Sequence, residues 1–127
     1  MRAKRAVKAE PSSEASVVTK AAARAAERLG VRSSALSRII GLSEPTVSRM
    51  RKGHYVLDPQ HKSFELALLF VRLYRSLDAL VSGDDAAAAA WLTSRNTALN
   101  GVPVEMIQSV SGLINVISYL DSRRALV

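Results

Sequence analysis

Residues 33–52 of this chain read SSALSRIIGLSEPTVSRMRK, and their apolar and turn residues fall where two short helices joined by a tight turn need them. Gly41 supplies the turn, where a positive φ costs a glycine little. Leu36, Ile40, Leu42, Val47 and Met50 are spaced so that both helices bury one face on a shared core. The second helix carries its own boundary signals: Ser43 as N-cap, Pro45 in the first turn where its missing N–H is tolerated, and Gly53 as the C-cap. Its exposed side then presents Ser43, Glu44, Ser48, Arg49 and Lys52, and the candidate DNA contacts are these together with Thr46 and Arg51. Short polar and long cationic side chains in that arrangement suit the major groove of DNA, and the stretch reads as a helix-turn-helix. Arg49 has the shape for a bidentate contact with guanine, Ser48 for a base edge or a phosphate, and Arg51 and Lys52 for phosphates. Glu44 has two readings, an acceptor for a cytosine amino group or a charge that favours the helix N-terminus. Small modules of this kind commonly bind as dimers on half-sites roughly 34 Å apart, so a homodimer on palindromic operator DNA is expected.

Outward from this motif the chain reads as helix throughout. Residues 1–12 look like a flexible basic tail closed by Pro11 and its serines. A first helix is expected from Ser12 or Ser13, with an apolar stripe of Val17, Val18, Ala21, Ala22, Ala25, Ala26 and Leu29, ended by Gly30. After the link 53–57, Asp58 and Pro59 look like an N-cap and first helical residue of the longest helix, which reaches Leu80 or Val81 before Gly83 stops it. Its broad apolar face, from Phe64 through Leu73 to Leu80, suits a linking and dimerisation helix. Asp84 and Asp85 cap an alanine-rich helix ending at Trp91 and Leu92, a polar loop runs over 93–102, Pro103 opens a short helix, and a last helix spans about 112–121. The fold class expected is all-α, and the segments group as 1–12, 13–57, 58–83 and 84–127.

Composition agrees and narrows the function classes. With 127 residues, 48% of them hydrophobic and only 5% aromatic, the chain has material for a core built from small and aliphatic side chains. It has no cysteine, which excludes disulfides and thiolate metal sites and fits a reducing cytoplasm. The two histidines, His54 and His61, lack convergent carboxylates and read as surface residues, so no metal and no cofactor is expected. The longest uncharged apolar runs, at 66–71 and 86–92, are far below the roughly 20 residues that cross a bilayer, so no membrane partner is expected. The basic start MRAKRAVKAEPSSE lacks the apolar segment of a secretory signal. Net charge is +7, yet residues 1–57 hold 12 Lys or Arg against 4 Asp or Glu, whereas residues 58–127 hold 6 against 7. One lobe is thus suited to phosphate and the other to something else. No phosphate-binding glycine loop, catalytic triad signature or HExxH is present, so an enzyme is not expected.

The second lobe contains WLTSRNTALNGVPVEMIQSVSGLINVISYL at 91–120. Trp91, Leu92, Asn96, Leu99, Asn100 with Gly101, Pro103, Met106 with Ile107, Gly112, Val116 and Leu120 keep the order and spacing of a family pattern, and the chain resembles the MbcA/ParS/Xre family of bacterial antitoxins. Upstream, the helix-turn-helix resembles the Xre or lambda-repressor-like module of the same proteins, so the likeness covers about residues 17–121. Two departures stand out: Ser94 and Arg95 replace a common Pro, and Asn100 replaces the first Gly of the turn, a substitution tolerated because Asn adopts the left-handed conformation. The resemblance implies a C-terminal toxin-binding lobe, a RES-domain toxin that consumes NAD as partner, neutralisation by covering its active-site entrance, and repression of the shared operon. The candidate contacts are the loop 94–102, with Arg95, Asn96 and Asn100, and the terminal segment with Arg123, Arg124 and Val127. The alternative is a stand-alone dimeric repressor whose second lobe dimerises or binds a ligand.

Overall fold

The computed structural model describes residues 13–125, and the basic segment 1–12 lies outside them. Among the described residues there are seven helices and no strand: α1 Glu14–Leu29, α2 Ser33–Ile40, α3 Glu44–Arg51, α4 Lys62–Leu80, α5 Asp85–Thr93, α6 Pro103–Met106 and α7 Val110–Ala125.

Local chemistry sets the boundaries. Ser13 caps α1 by accepting the Ser16 N–H at 3.3 Å. Gly30 and Gly41 end α1 and α2 in the left-handed conformation, with Val31 N–H on the Ala26 carbonyl and Leu42 N–H on the Ser37 carbonyl closing the last turns. Lys52 rather than Gly53 is the C-cap of α3; Gly53 takes the left-handed position just beyond it, and the His54 N–H reaches back to the Arg49 carbonyl at 2.7 Å.

Two expected boundaries move. The long helix begins at Lys62 instead of Pro59, because the Asp58 carboxylate accepts the Gln60 N–H and closes a tight turn there. Its far end falls at Leu80, as expected, and both Ser82, with φ 54, and Gly83, with φ 80, are left-handed beyond it. The last helix is longer than 112–121: Ser109 Oγ accepts the Gly112 N–H at 3.1 Å, which starts the helix at Val110, and Arg123, Arg124 and Ala125 form its final turn.

The interior is one continuous apolar cluster. Phe64, Ala67, Phe70, Leu73 and Leu77 of α4 run through its middle, with Leu36, Ile40, Val47 and Met50 on the helix-turn-helix side and Leu92, Ile107, Leu113, Val116 and Leu120 on the other. α4 therefore packs on both lobes. α5 also lies against α1, where Arg28 approaches Asp85 at 3.9 Å. The expected stripe of α1 is correct at Val18, Ala22, Ala25, Ala26 and Leu29, but Val17 points outward and is 62% exposed. Leu92 is fully buried, while Trp91 is half-buried and stacks on Tyr119 with centroids 6.4 Å apart.

Candidate nucleic-acid and partner interfaces

The outer side of α3 is built from its caps. Ser43 Oγ accepts the Thr46 N–H at 3.2 Å and donates to Thr46 Oγ1 at 2.8 Å, and the same Oγ1 accepts from Arg49 Nη2 at 3.2 Å. One hydroxyl relay thus connects the N-cap to the arginine, and Arg49 is held along the exposed side with Glu44 and Lys52. Val47 and Met50 anchor the opposite side in the core. Ser48 is half-buried beside Arg49.

Arg51 departs from the phosphate role that the sequence assigns it. Its Nη1 donates to the Val31 carbonyl at 2.8 Å, fastening α3 to the end of α1, and its side chain is half-buried. It lines the inner cleft with Lys20, Arg24 and Tyr55. The link that follows α3 is tied to α1 by Thr19, whose hydroxyl donates to the Ala15 carbonyl and accepts the Leu57 N–H at 2.9 Å.

In the second lobe the loop after α5 closes on itself. Asn96 and Gly101 exchange backbone hydrogen bonds of 2.8 and 3.2 Å, the Asn96 carboxamide accepts the Leu99 N–H at 3.0 Å, and Asn100 sits at φ 59. Asn96 is thus a half-buried turn former, whereas Arg95 is exposed and donates to the Asn100 carboxamide at 2.8 Å. Gly101 packs against Met106, and the Met106 carbonyl lies so close to Gly112 that any Cβ there would overlap it. Met106 consequently joins the loop to the start of α7, where Val110 and Ile114 present exposed apolar side chains; the expected start near 112 left Val110 outside the helix.

Arg123 and Arg124 lie at the other end of α7, about 20 Å along its axis from Val110 at 1.5 Å per residue. No direct contact joins Arg95, Asn96 or Asn100 to Arg123 or Arg124 among the described residues, and Val127 lies outside them. Nor are the two arginines a loose tail. Arg124 Nη1 donates to Ser76 Oγ at 3.2 Å, Ser76 Oγ donates to Asp121 at 2.8 Å, Arg72 pairs with the same carboxylate, and Arg123 lies over the Tyr119 ring at 6.0 Å. The Ser76 hydrogen bond, against the opposing effect of burial, and the Arg72 and Arg124 guanidiniums hold the Asp121 carboxyl below its ordinary value. Sequence reading missed Arg72, Ser76 and Asp121, whose partners lie 45 to 49 positions away.

His54 and His61 are both exposed. Among the described residues no group of three or more His, Cys, Asp or Glu could hold a metal ion, and no helix is long and apolar enough to cross a membrane.

Comparison with known families accounts for both surfaces. A family model described as the antitoxin Xre-like helix-turn-helix domain matches residues 9–72, and one described as the antitoxin Xre/MbcA/ParS C-terminal toxin-binding domain matches residues 76–125. The chain belongs to the Xre-like antitoxins. No curated protein matches it significantly. The antitoxin combines a DNA-binding module with a toxin-binding module, neither of them enzymatic, and its partners are DNA and a toxin. The contact between Arg72 and Asp121 bridges the two matched segments of the antitoxin.

Proposed function

We propose that the chain is the antitoxin of a type II toxin–antitoxin pair whose toxin is a RES-domain enzyme that consumes NAD, and that it silences the enzyme by covering its active-site entrance. The observation that carries this reading is the presence in one chain of the Xre-like and the Xre/MbcA/ParS toxin-binding matches. It is also a repressor of its own operon, acting as a homodimer on palindromic half-sites through Ser43, Glu44, Thr46, Ser48, Arg49 and Lys52. The exposure of Arg49 and Lys52 and the hydroxyl relay through Thr46 support that role. Arg51 belongs to this set as a support for α3.

Two toxin contacts are proposed. One is Arg95 and Asn100 with Asn96 shaping the loop, flanked by Val110 and Ile114; the other is Arg123, Arg124 and Val127. Guanidiniums suit a pocket that takes a phosphate-bearing substrate. The test is co-expression of the chain with the reading frame beside its gene, expected to encode the RES-domain toxin, scored by growth and by cellular NAD. The wild type restores both. Arg95→Ala with Asn100→Gly, or Arg123→Ala with Arg124→Ala, lowers the rescue at whichever contact covers the toxin. Full rescue by the chain lacking both pairs would remove these residues from the interface, and no rescue by the wild type would overturn the RES assignment.

A further inference from the structure

The cleft between α1 and the end of α3 has a volume of about 440 Å³, inside the range of roughly 300 to 1,000 Å³ that small-ligand sites occupy. Ser16, Lys20, Arg24 and Glu27 form its α1 wall, and Arg51 and Tyr55 stand on the other. Three cations thus meet one carboxylate. Arg51 is held on the Val31 carbonyl, so Lys20 and Arg24 are the cations the cleft has to spare. Both are exposed, and among the described residues neither has an ion-pair partner. They stand one turn apart on the same side of α1, where like charges repel, so an anion held between them removes a cost that the lone chain bears.

A second observation lies one turn before Lys20. Ser16 lines the same cleft and is 6% exposed, and its N–H is bound to Ser13 Oγ, yet its own hydroxyl has no hydrogen-bond partner among the described residues. Buried hydroxyls ordinarily find one. Thr19 beside it does, on the Ala15 carbonyl and the Leu57 N–H, so Ser16 is the hydroxyl left over in this wall. An ammonium, a guanidinium and a hydroxyl are all donors, and a phosphate has enough acceptor oxygens to take a hydrogen bond from each.

We propose that the cleft is a phosphate site in which Lys20, Arg24 and Ser16 donate to one phosphate group. The backbone of bound DNA and a free phosphate-bearing ligand share that chemistry. The site is separate from the α3 contacts assigned above, and its loss leaves base reading by Arg49 untouched.

Titration calorimetry of the full chain with inorganic pyrophosphate, and the salt dependence of its binding to a short random-sequence duplex, test the site and separate the two sources. Lys20→Ala with Arg24→Ala, checked by far-UV circular dichroism, is expected to weaken pyrophosphate at least about 10-fold, whereas Lys62→Ala, a surface lysine elsewhere, binds it as the wild type does. Ser16→Ala, which leaves every charge in place, weakens it by about 10-fold. A fall of about 1 in the salt slope of the double variant on the duplex assigns the phosphate to the DNA backbone, and an unchanged slope with pyrophosphate binding lost assigns it to a free ligand. Wild-type affinity of Ser16→Ala for pyrophosphate would mean an adventitious ion only and would overturn the site. So would a double variant that matches the wild type in both measurements.

Discussion

Ser82 ends α4 at φ 54, where an L side chain crowds the backbone, because the Gly83 N–H must reach the Asp78 carbonyl to close the last turn. Ser82→Gly is expected to raise stability by about 0.5 to 1 kcal/mol in a thermal melt, since the strain is removed and the position is exposed. Gly112 has the opposite sense. A Cβ there meets the Met106 carbonyl backbone, which has no room to yield, so Gly112→Ala should cost more than about 2 kcal/mol by chemical denaturation. Asp121 gives a pH dependence. Its carboxyl titrates lower in the folded chain than in the unfolded chain, so the unfolded state binds the proton first as pH falls. The stabilisation is present above the ordinary carboxylate value of 3.8 and is lost as pH drops through the lowered one. Asp121→Asn should therefore flatten the acid limb of stability against pH, while leaving the fold at neutral pH.

Elements separate side chains that the sequence groups together. Arg49, Arg51 and Lys52 are near neighbours in the chain, yet Arg49 and Lys52 face out and Arg51 holds the Val31 carbonyl. Arg51→Ala should lower stability by about 1 kcal/mol, seen in urea unfolding, and leave the salt dependence of DNA binding nearly unchanged. Lys52→Ala should instead lower the salt slope by about 1. Much of α3 was legible beforehand, because Ser43, Pro45 and Gly53 are local signals that act within a turn. The start of α4 was not: Asp58 followed by Pro59 serves a tight turn as well as a helix cap, and its carboxylate took the Gln60 N–H. Gly112 misled in a similar way. A weak helix former reads as a boundary, whereas here it is in the first turn of α7 so that Met106 can approach. The Arg72, Ser76, Asp121 and Arg124 cluster had no local signal at all, since its members meet only when α4 and α7 pack.

On the scale of the whole molecule, α4 puts Phe70, Leu73 and Leu77 into a single core that serves the DNA-binding and the toxin-binding segments alike. Far-UV circular dichroism and Trp91 fluorescence should accordingly report one coincident unfolding transition, and two separated transitions would mean that the lobes fold independently. The antitoxin thus carries α3 and the Arg95 loop on helices that share one core. The charge asymmetry of the sequence follows this division, with the cations around the helix-turn-helix and a near-neutral surface elsewhere. The central claim is that the exposed face of α3, oriented through Thr46, selects the operator of the antitoxin's own operon. Fluorescence anisotropy on the labelled promoter fragment, with wild type and Arg49→Ala compared at one salt concentration, tests it most directly. The account predicts that Arg49→Ala loses about 1 to 3 kcal/mol on the promoter and little on scrambled DNA of equal length. Equal affinity of the two proteins for the promoter would contradict it.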